Sequence, residues 1–302
     1  SEHDGLMHAC GHDGHTTILL GAARALMAIR GRLPRPVKLI FQPAEETRGG
    51  GKRMVEAGAL GESVGGFAAK SIYGLHGWPV EALGNFATRV GPLMAATDSF
   101  DITVHSTGGH AATPHLYADT VVCASAIVTQ LQTIVSRQVK ATNPAIVTTS
   151  CIEGGSAYNV VPSQVSMRGT IRTTDDETRE LARRRVVEIA ESVGQTHGCS
   201  VKAWITEGYP VTFNEESCTR RAFDLARHVL GDERVIWMDA PVMGGEDFSF
   251  YGQSIPAAYG FLGLRPPEAD SYPFVHTPHF DFNDDAIPIG ICLMCEWAAS
   301  RG

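Results

Sequence analysis

The sequence contains no apolar run approaching the roughly 18 residues of a membrane span, so no membrane partner is expected. Positive charge is short as well: 25 Lys and Arg face 33 Asp and Glu, for a net charge of -8. Coating nucleic acid requires clustered cations, and that class of partner is set aside. The cysteines cannot all pair, because there are seven, scattered along the chain. That usage fits a reducing, cytoplasmic setting in which each thiol is a small hydrophobe or a ligand. Several one-line catalytic motifs are also missing: His-Glu-x-x-His, the Walker loop, the dinucleotide glycine fingerprint and the Gly-x-Ser-x-Gly elbow. The 32 glycines follow no collagen-like period. What is present is an ordinary globular composition over 302 residues, 43% hydrophobic and 19% charged, a length that suggests about two domains.

Hydrophobic periodicity divides the chain. Ile18, Leu19, Ala22, Ala23, Leu26 and Ile29 form a helical stripe, with Thr16 or Thr17 as cap and Gly31 as stop. Val37 to Phe41 reads as a short buried strand ending in Gln42-Pro43-Ala44-Glu45-Glu46, then Gly49–Gly51 leads into a helix over about 52–57. A second strand over 71–75 ends at His76. Such alternation predicts an α/β sheet with its chemistry at the carboxyl ends of the strands.

From about residue 97 the style changes. Strands near 100–104, 146–152, 165–171 and 201–205 alternate apolar and polar residues, with helices over about 119–137 and from a Thr174–Glu177 capping box to about His197. The order βαββαβ is that of a ferredoxin-like α+β unit. After about residue 207 the first style returns, with a helix over about 215–230 capped by Asn214 and Gly231, and an apolar helix near 287–299. One α/β domain interrupted by an inserted α+β domain accounts for this.

Ligand-type residues are densest in Met7-His8-Ala9-Cys10-Gly11-His12-Asp13-Gly14-His15. Cys and His are donors for zinc and its neighbours, and Asp13 could orient a ligating imidazole, although His8 and His15 also suit surface or cap positions. Glu45 and Glu46 can divide the labour, one binding metal while the other faces water. His76, in Leu75-His76-Gly77-Trp78-Pro79, reads equally as a packed core residue. His276 and His279 bring two more imidazoles into a proline-shaped loop. Cys292 and Cys295 lie in an apolar helical run and are expected to be buried.

Together these segments resemble the amidohydrolase branch of the aminoacylase and carboxypeptidase G clan of dinuclear metallopeptidases, which contains hippurate hydrolases, N-acyl-amino-acid amidohydrolases and indoleacetyl-amino-acid hydrolases. The matching stretches are MHACGHDGH at 7–15, FQPAEE at 41–46, GLHGWP at 74–79, GPLMAA at 91–96, GGHAATPH at 108–115, GSAYNVVP at 155–162, GGEDF at 244–248 and HTPHFDFN at 276–283. The resemblance implies an α/β metallopeptidase catalytic domain, with a phosphorylase/hydrolase-like sheet, over 1–96 and 208–302. Its first part would lack N-terminal strands that carry an Asp-x-Asp-like element. An inserted ferredoxin-like dimerisation and lid domain would span 97–207.

The resemblance also implies two divalent ions (Mn, Zn, Co or Ni) held by Cys10, His12, Glu46, His76 and His276, with Glu45 as general base. His279 drops to a supporting or packing role. His110 would reach a partner's site, in a homodimer or dimer of dimers, and bind the scissile carbonyl oxygen. Asn159 and Arg172 would hold the carboxylate of a small N-acyl amino acid, whose amide bond is hydrolysed. The competing reading is an inactive fragment or a metal-free binding relative; metal content separates the two.

Overall fold

The computed structural model describes residues 3–301. Two compact units divide the chain: one formed by residues up to Leu93, Thr212–Pro241 and those from Asp247 onward, the other by Met94–Val211 and Val242–Glu246. Elements are numbered in chain order. No helix among the described residues is long and apolar enough to cross a membrane.

The first unit carries a four-stranded sheet of β1 (Ile72–Ala82), β2 (Phe86–Thr88), β11 (Val235–Trp237) and β12 (Ala257–Arg265), in the order β1-β12-β2-β11. β12 runs parallel to β1 and antiparallel to β2. It is buried along its length except at Arg265, so its sequence is continuously apolar rather than alternating. A smaller pair joins β3 (Gly91–Met94) to β10 (Thr212–Asn214). Helix α1 (His12–Ala28) buries Gly14, Ile18, Ala22 and Leu26, spaced four apart, and packs on α8 (Ala286–Ala299). Gly290 of α8 makes room for this, because a Cβ there would meet Ile18 Cδ1 at 2.6 Å.

Local signals are displaced in several places. α1 begins at His12, after Gly11 at φ 82°, and the Thr16 and Thr17 hydroxyls bond back to the carbonyls of His12 and Asp13 instead of capping. Its end is at Ala28, with a 3-10 turn over Arg30–Arg32 where the stop at Gly31 was expected. Residues 37–41 form no strand: no described backbone pairs with them, and Leu39 and Phe41 are exposed. β1 continues past His76 to Ala82, since β12 goes on pairing with it. The remaining helices here are α2 (Glu45–Arg48), α3 (Gly50–Glu56), α6 (Glu216–Leu230) and α7 (Ser249–Gly252). Glu215, not Asn214, caps α6, accepting from the Cys218 N–H. Asn214 is buried and instead exchanges hydrogen bonds with the Tyr259 backbone of β12, at 2.7 and 2.9 Å. Cys292 is exposed and Cys295 half-buried, against the expectation of burial, because the buried side of α8 runs through Gly290 and Leu293.

The second unit is built from β4 (Ala96–His105), α4 (Thr120–Thr133), β6 (Ala145–Glu153), β8 (Gln164–Thr173), α5 (Asp176–Thr196) and β9 (Ser200–Glu207), the βαββαβ order. Its sheet order is β6-β8-β4-β9 and every pairing is antiparallel. Alternate residues of the central strands, such as Phe100, Ile102, Met167 and Ile171, join Ile127 and Leu131 of α4 and Val186 of α5 in one core. A short ladder of β5 (Gly109–His110) and β7 (Val160–Val161) stands apart from that sheet. The α5 cap is Asp175, one residue beyond the expected Thr174.

Candidate metal centre

Four segments of the first unit converge on one cluster of donor atoms. Cys10, His12 and His76 bring one donor atom each within 4.8 Å of one another; so do Cys10, Glu46 and His276, and again His12, Glu45 and Glu46. Cys10 belongs to two of these triads. Gly11 turns the chain between Cys10 and the first turn of α1, where His12 sits. The two His12 nitrogens face the two carboxylates: Nε2 lies 3.9 Å from Glu45 and Nδ1 lies 3.7 Å from Glu46. Glu46 also lies 3.7 Å from His276 Nε2. Glu45 and Glu46 thus enter from the one-turn helix α2, where a strand end was expected. The His276 N–H donates to the Ala9 carbonyl at 2.7 Å, which ties that loop beside Cys10.

The donor chemistry suits borderline divalent ions: a thiol that can ionise, imidazoles and carboxylates. His76 is oriented for the task. Its Nδ1 donates to the Gly77 carbonyl at 2.8 Å, which leaves Nε2 bare, 3.4 Å from Cys10 Sγ. Burial, opposed by that carbonyl contact and reinforced by His12 and His276, pushes His76 down to about 4. Burial also lowers His12, outweighing the pull of Glu46. Both rings are therefore neutral near pH 7, the form that binds metals.

Backbone strain collects at the same place. Among the described non-glycine residues only Ala44 (φ 59°) and His276 (φ 63°) occupy the left-handed region. One immediately precedes Glu45 and the other is a candidate ligand; such conformations cost about 1–3 kcal/mol each and persist where the surroundings enforce them.

The carboxylate loop is held by contacts the sequence did not announce. Buried Asp247 accepts from Gln42 Nε2 at 2.7 Å and from the Gly51 N–H at 2.8 Å, while Tyr251 donates to Gln42 Oε1 at 2.9 Å. The glycine run is needed for this approach. A Cβ on Gly50 would collide with the Pro43 carbonyl, and one on Gly51 would lie 2.5 Å from the Asp247 carbonyl. Phe282 supports the other side, filling the space that side chains at Gly11, Gly14 and Gly77 would need.

Other candidates fall differently. Asp13 and His8 are exposed, so orienting a ligand ring falls to the Gly77 carbonyl rather than to Asp13. His279 is exposed too. His15 is half-buried and caps nothing in α1: its Nε2 accepts from the Gly77 N–H at 2.8 Å. Burial first, then His76 and His12, hold His15 well below its ordinary value, so its ring is neutral.

In the second unit, His110 ends β5, exposed, with Nδ1 accepting from the Ala112 N–H at 3.1 Å. The Asn159 carbonyl accepts from the Ala111 N–H at 3.0 Å, which keeps Asn159 beside His110. Arg172 is half-buried on β8, its Nε donating to Thr170 Oγ1 at 3.1 Å, and burial lowers its pKa.

The model of peptidase family M20/M25/M40 matches residues 1–300. The chain belongs to that family. Among its M20 relatives, the IAA-amino acid hydrolase ILR1-like 4 of Arabidopsis thaliana is 36% identical over 298 residues, covering 97% of this chain and 66% of the relative. The N-acetyl-L-cysteine deacetylase of Bacillus subtilis is 37% identical over 287 residues, covering 95% of this chain and 66% of that protein. The chain thus spans about two thirds of the length of these curated relatives. A solved Bacillus subtilis structure, the YXEP protein, a dinuclear metal binding peptidase of the M20 family, superposes with a TM-score of 0.80 at 28% identity, covering 99% of this chain and 74% of that one.

Proposed function

We propose that this M20 chain hydrolyses the amide bond of N-acyl amino acids, releasing a carboxylic acid and an amino acid, with two divalent ions (Mn, Zn, Co or Ni) held by Cys10, His12, Glu46, His76 and His276. The convergence of thiol, imidazole and carboxylate donors from four separate segments carries this reading. The relatives add that one is named for IAA-amino acids and another for N-acetyl-L-cysteine.

Bound divalent ions supply polarisation of the scissile carbonyl and a lowered pKa for water. Glu45 takes the proton of the attacking water and passes it to the leaving nitrogen, the work of a general base that becomes a general acid. Gln42 and Asp247 keep its loop in place. His110, contributed by a second subunit of a homodimer or dimer of dimers, donates to the developing oxyanion. Asn159 and Arg172 receive the free carboxylate of the amino-acid half. Residues 97–207 serve as the dimerisation and lid domain between the catalytic parts 1–96 and 208–302, and the protein works in the cytoplasm.

The test is metal analysis of the purified protein followed by a screen of N-acetyl, N-benzoyl and indoleacetyl amino acids before and after chelation. About two ions per chain is expected, with hydrolysis that chelation abolishes and Mn, Co, Ni or Zn restores. Hydrolysis unchanged at verified zero metal would overturn the proposal.

A further inference from the structure

Two features of the first unit remain without a function. A cavity of about 610 Å³ is lined by Arg35, Arg220 and Arg221. These three cations are accounted for: Arg221 donates to the carbonyl of Trp297 and Arg35 to that of Ser300, where α8 ends, while Arg220 pairs with Glu216. The second feature is His15, which the reaction described above does not use.

His15 lies three residues after His12, on the same side of α1. Between His15 and His76, the Gly77 residue is bracketed: its N–H donates to His15 Nε2 and its carbonyl accepts from His76 Nδ1, both at 2.8 Å. The His15 ring meets the His76 ring edge-on, with centroids 4.5 Å apart, and meets Phe282 edge-on at 5.7 Å. Gly77 has no room to move, because its Cα faces Phe282 and Leu264 closely enough that a Cβ would lie 2.7 and 2.9 Å from them.

We propose that His15 is a positioning residue for the metal centre: its Nε2, acting as acceptor, fixes the Gly77 backbone whose carbonyl in turn aims His76. This rests on the reading of the cluster as a metal centre. A phenyl ring at position 15 fills the same space yet strands the Gly77 N–H without its acceptor. A glutamine keeps an acceptor, because its Oε1 stands about as far from Cβ as Nε2 does. Groups that hold a ligand imidazole in direction typically change metal affinity by about 10–100-fold when removed.

The experiment titrates Co(II) into chelator-stripped wild type, His15→Phe and His15→Gln, following absorption that includes the Cys10 thiolate band. His15→Phe is expected to bind cobalt about 10–100-fold more weakly, with an altered spectrum, while His15→Gln stays close to wild type. Wild-type affinity and spectrum in His15→Phe overturn the proposal, as does equal loss in both variants. Should His15→Phe not fold, ¹⁵N histidine spectra of the metal-free wild type decide. Nδ1–H tautomers at both His15 and His76 are expected, and an Nε2–H tautomer at either overturns the chain of bonds. A folded wild type that takes up no cobalt instead overturns the metal-centre reading, and the His15 tautomer still decides its bond to Gly77.

Discussion

Asp98 and Arg179 form a buried ion pair that joins the central strand β4 to helix α5, and its removal gives a sharp test of how the second unit is held. Asp98 is 3% exposed and Arg179 5%. The guanidinium donates through Nε and Nη2 to the two carboxylate oxygens at 2.8 and 2.7 Å, and the Gly208 N–H adds a third bond at 3.0 Å. Asp98→Ala leaves a buried cation whose remaining acid, Glu207, lies 3.8 Å away and is itself mostly exposed. The expected loss is about 3–5 kcal/mol, the range for breaking one side of a buried pair. Arg179→Met should cost less, because Asp98 keeps the Gly208 N–H and has Arg183 Nε at 3.9 Å. The double replacement Asp98→Leu with Arg179→Met leaves no orphaned charge. Its cost should fall to the Gly208 N–H alone, about 1–3 kcal/mol. Urea unfolding of the four proteins, read by circular dichroism and tryptophan fluorescence, gives the cycle directly. A coupling above about 2 kcal/mol is expected. Additive single losses would refute the reasoning, since they would mean the two side chains are stabilised independently.

At the metal centre, Glu45→Gln should keep metal while turnover falls by about 10²–10⁴-fold, whereas Glu46→Gln should weaken metal binding; metal analysis beside kinetics reveals a reversed assignment. Gly51→Ala drives a methyl toward the Asp247 carbonyl at 2.5 Å, so it should cost about 1–3 kcal/mol in urea unfolding and weaken metal binding as the Glu45–Glu46 loop shifts. Glu215→Ala removes the α6 cap, worth about 1 kcal/mol. The Cys218 N–H, then Ser217, draw the Glu215 carboxyl from 4.5 to about 2 in the folded chain. Its contribution is therefore full above the unfolded value and should fade as pH drops from about 4.5 to about 2, so melting curves of wild type and variant should converge there. Co-expressed Glu45→Ala and His110→Ala chains should regain activity in about a quarter of all sites if a two-fold dimer shares His110 between subunits. A confirmed hybrid no more active than its parents places His110 elsewhere.

Short-range pattern carried most of the architecture. The period-2 alternation of Phe100–Val104 and Val165–Ile171 led to the antiparallel sheet because one face of each strand meets the helices. The ligand-type residues stood out by chemistry, and the fold brings Cys10, His12, Glu45, Glu46, His76 and His276 together. What depended on distant partners was illegible. Residues 37–41 have strand composition, but a strand exists only where another backbone pairs with it. The Asp98–Arg179 pair spans 81 positions, and nothing local separates Arg179 from the less buried arginines of α5. Caps moved by one residue where neighbours competed: Asp175 replaced Thr174, and Glu215 replaced Asn214, whose amide had a better use against β12. His15 looked ordinary because its partner, the Gly77 N–H, lies 62 positions away.

The ring of Phe282 touches the positions that side chains at Gly11, Gly14 and Gly77 would occupy, although Gly77 lies on a different stretch of chain from the other two. Mutational drift at the four sites is therefore not independent. A chain that acquires alanine at 14 can tolerate it only after 282 has shrunk, and a leucine at 282 would open space that alanine at 14 could then refill, whereas at 77 Leu264 would have to yield as well. Sequences related to this one should vary at positions 14 and 282 as a single character, with aromatic-plus-glycine and aliphatic-plus-alanine as its two states and the mixed combinations rare, while glycine stays at 11 because of its left-handed backbone.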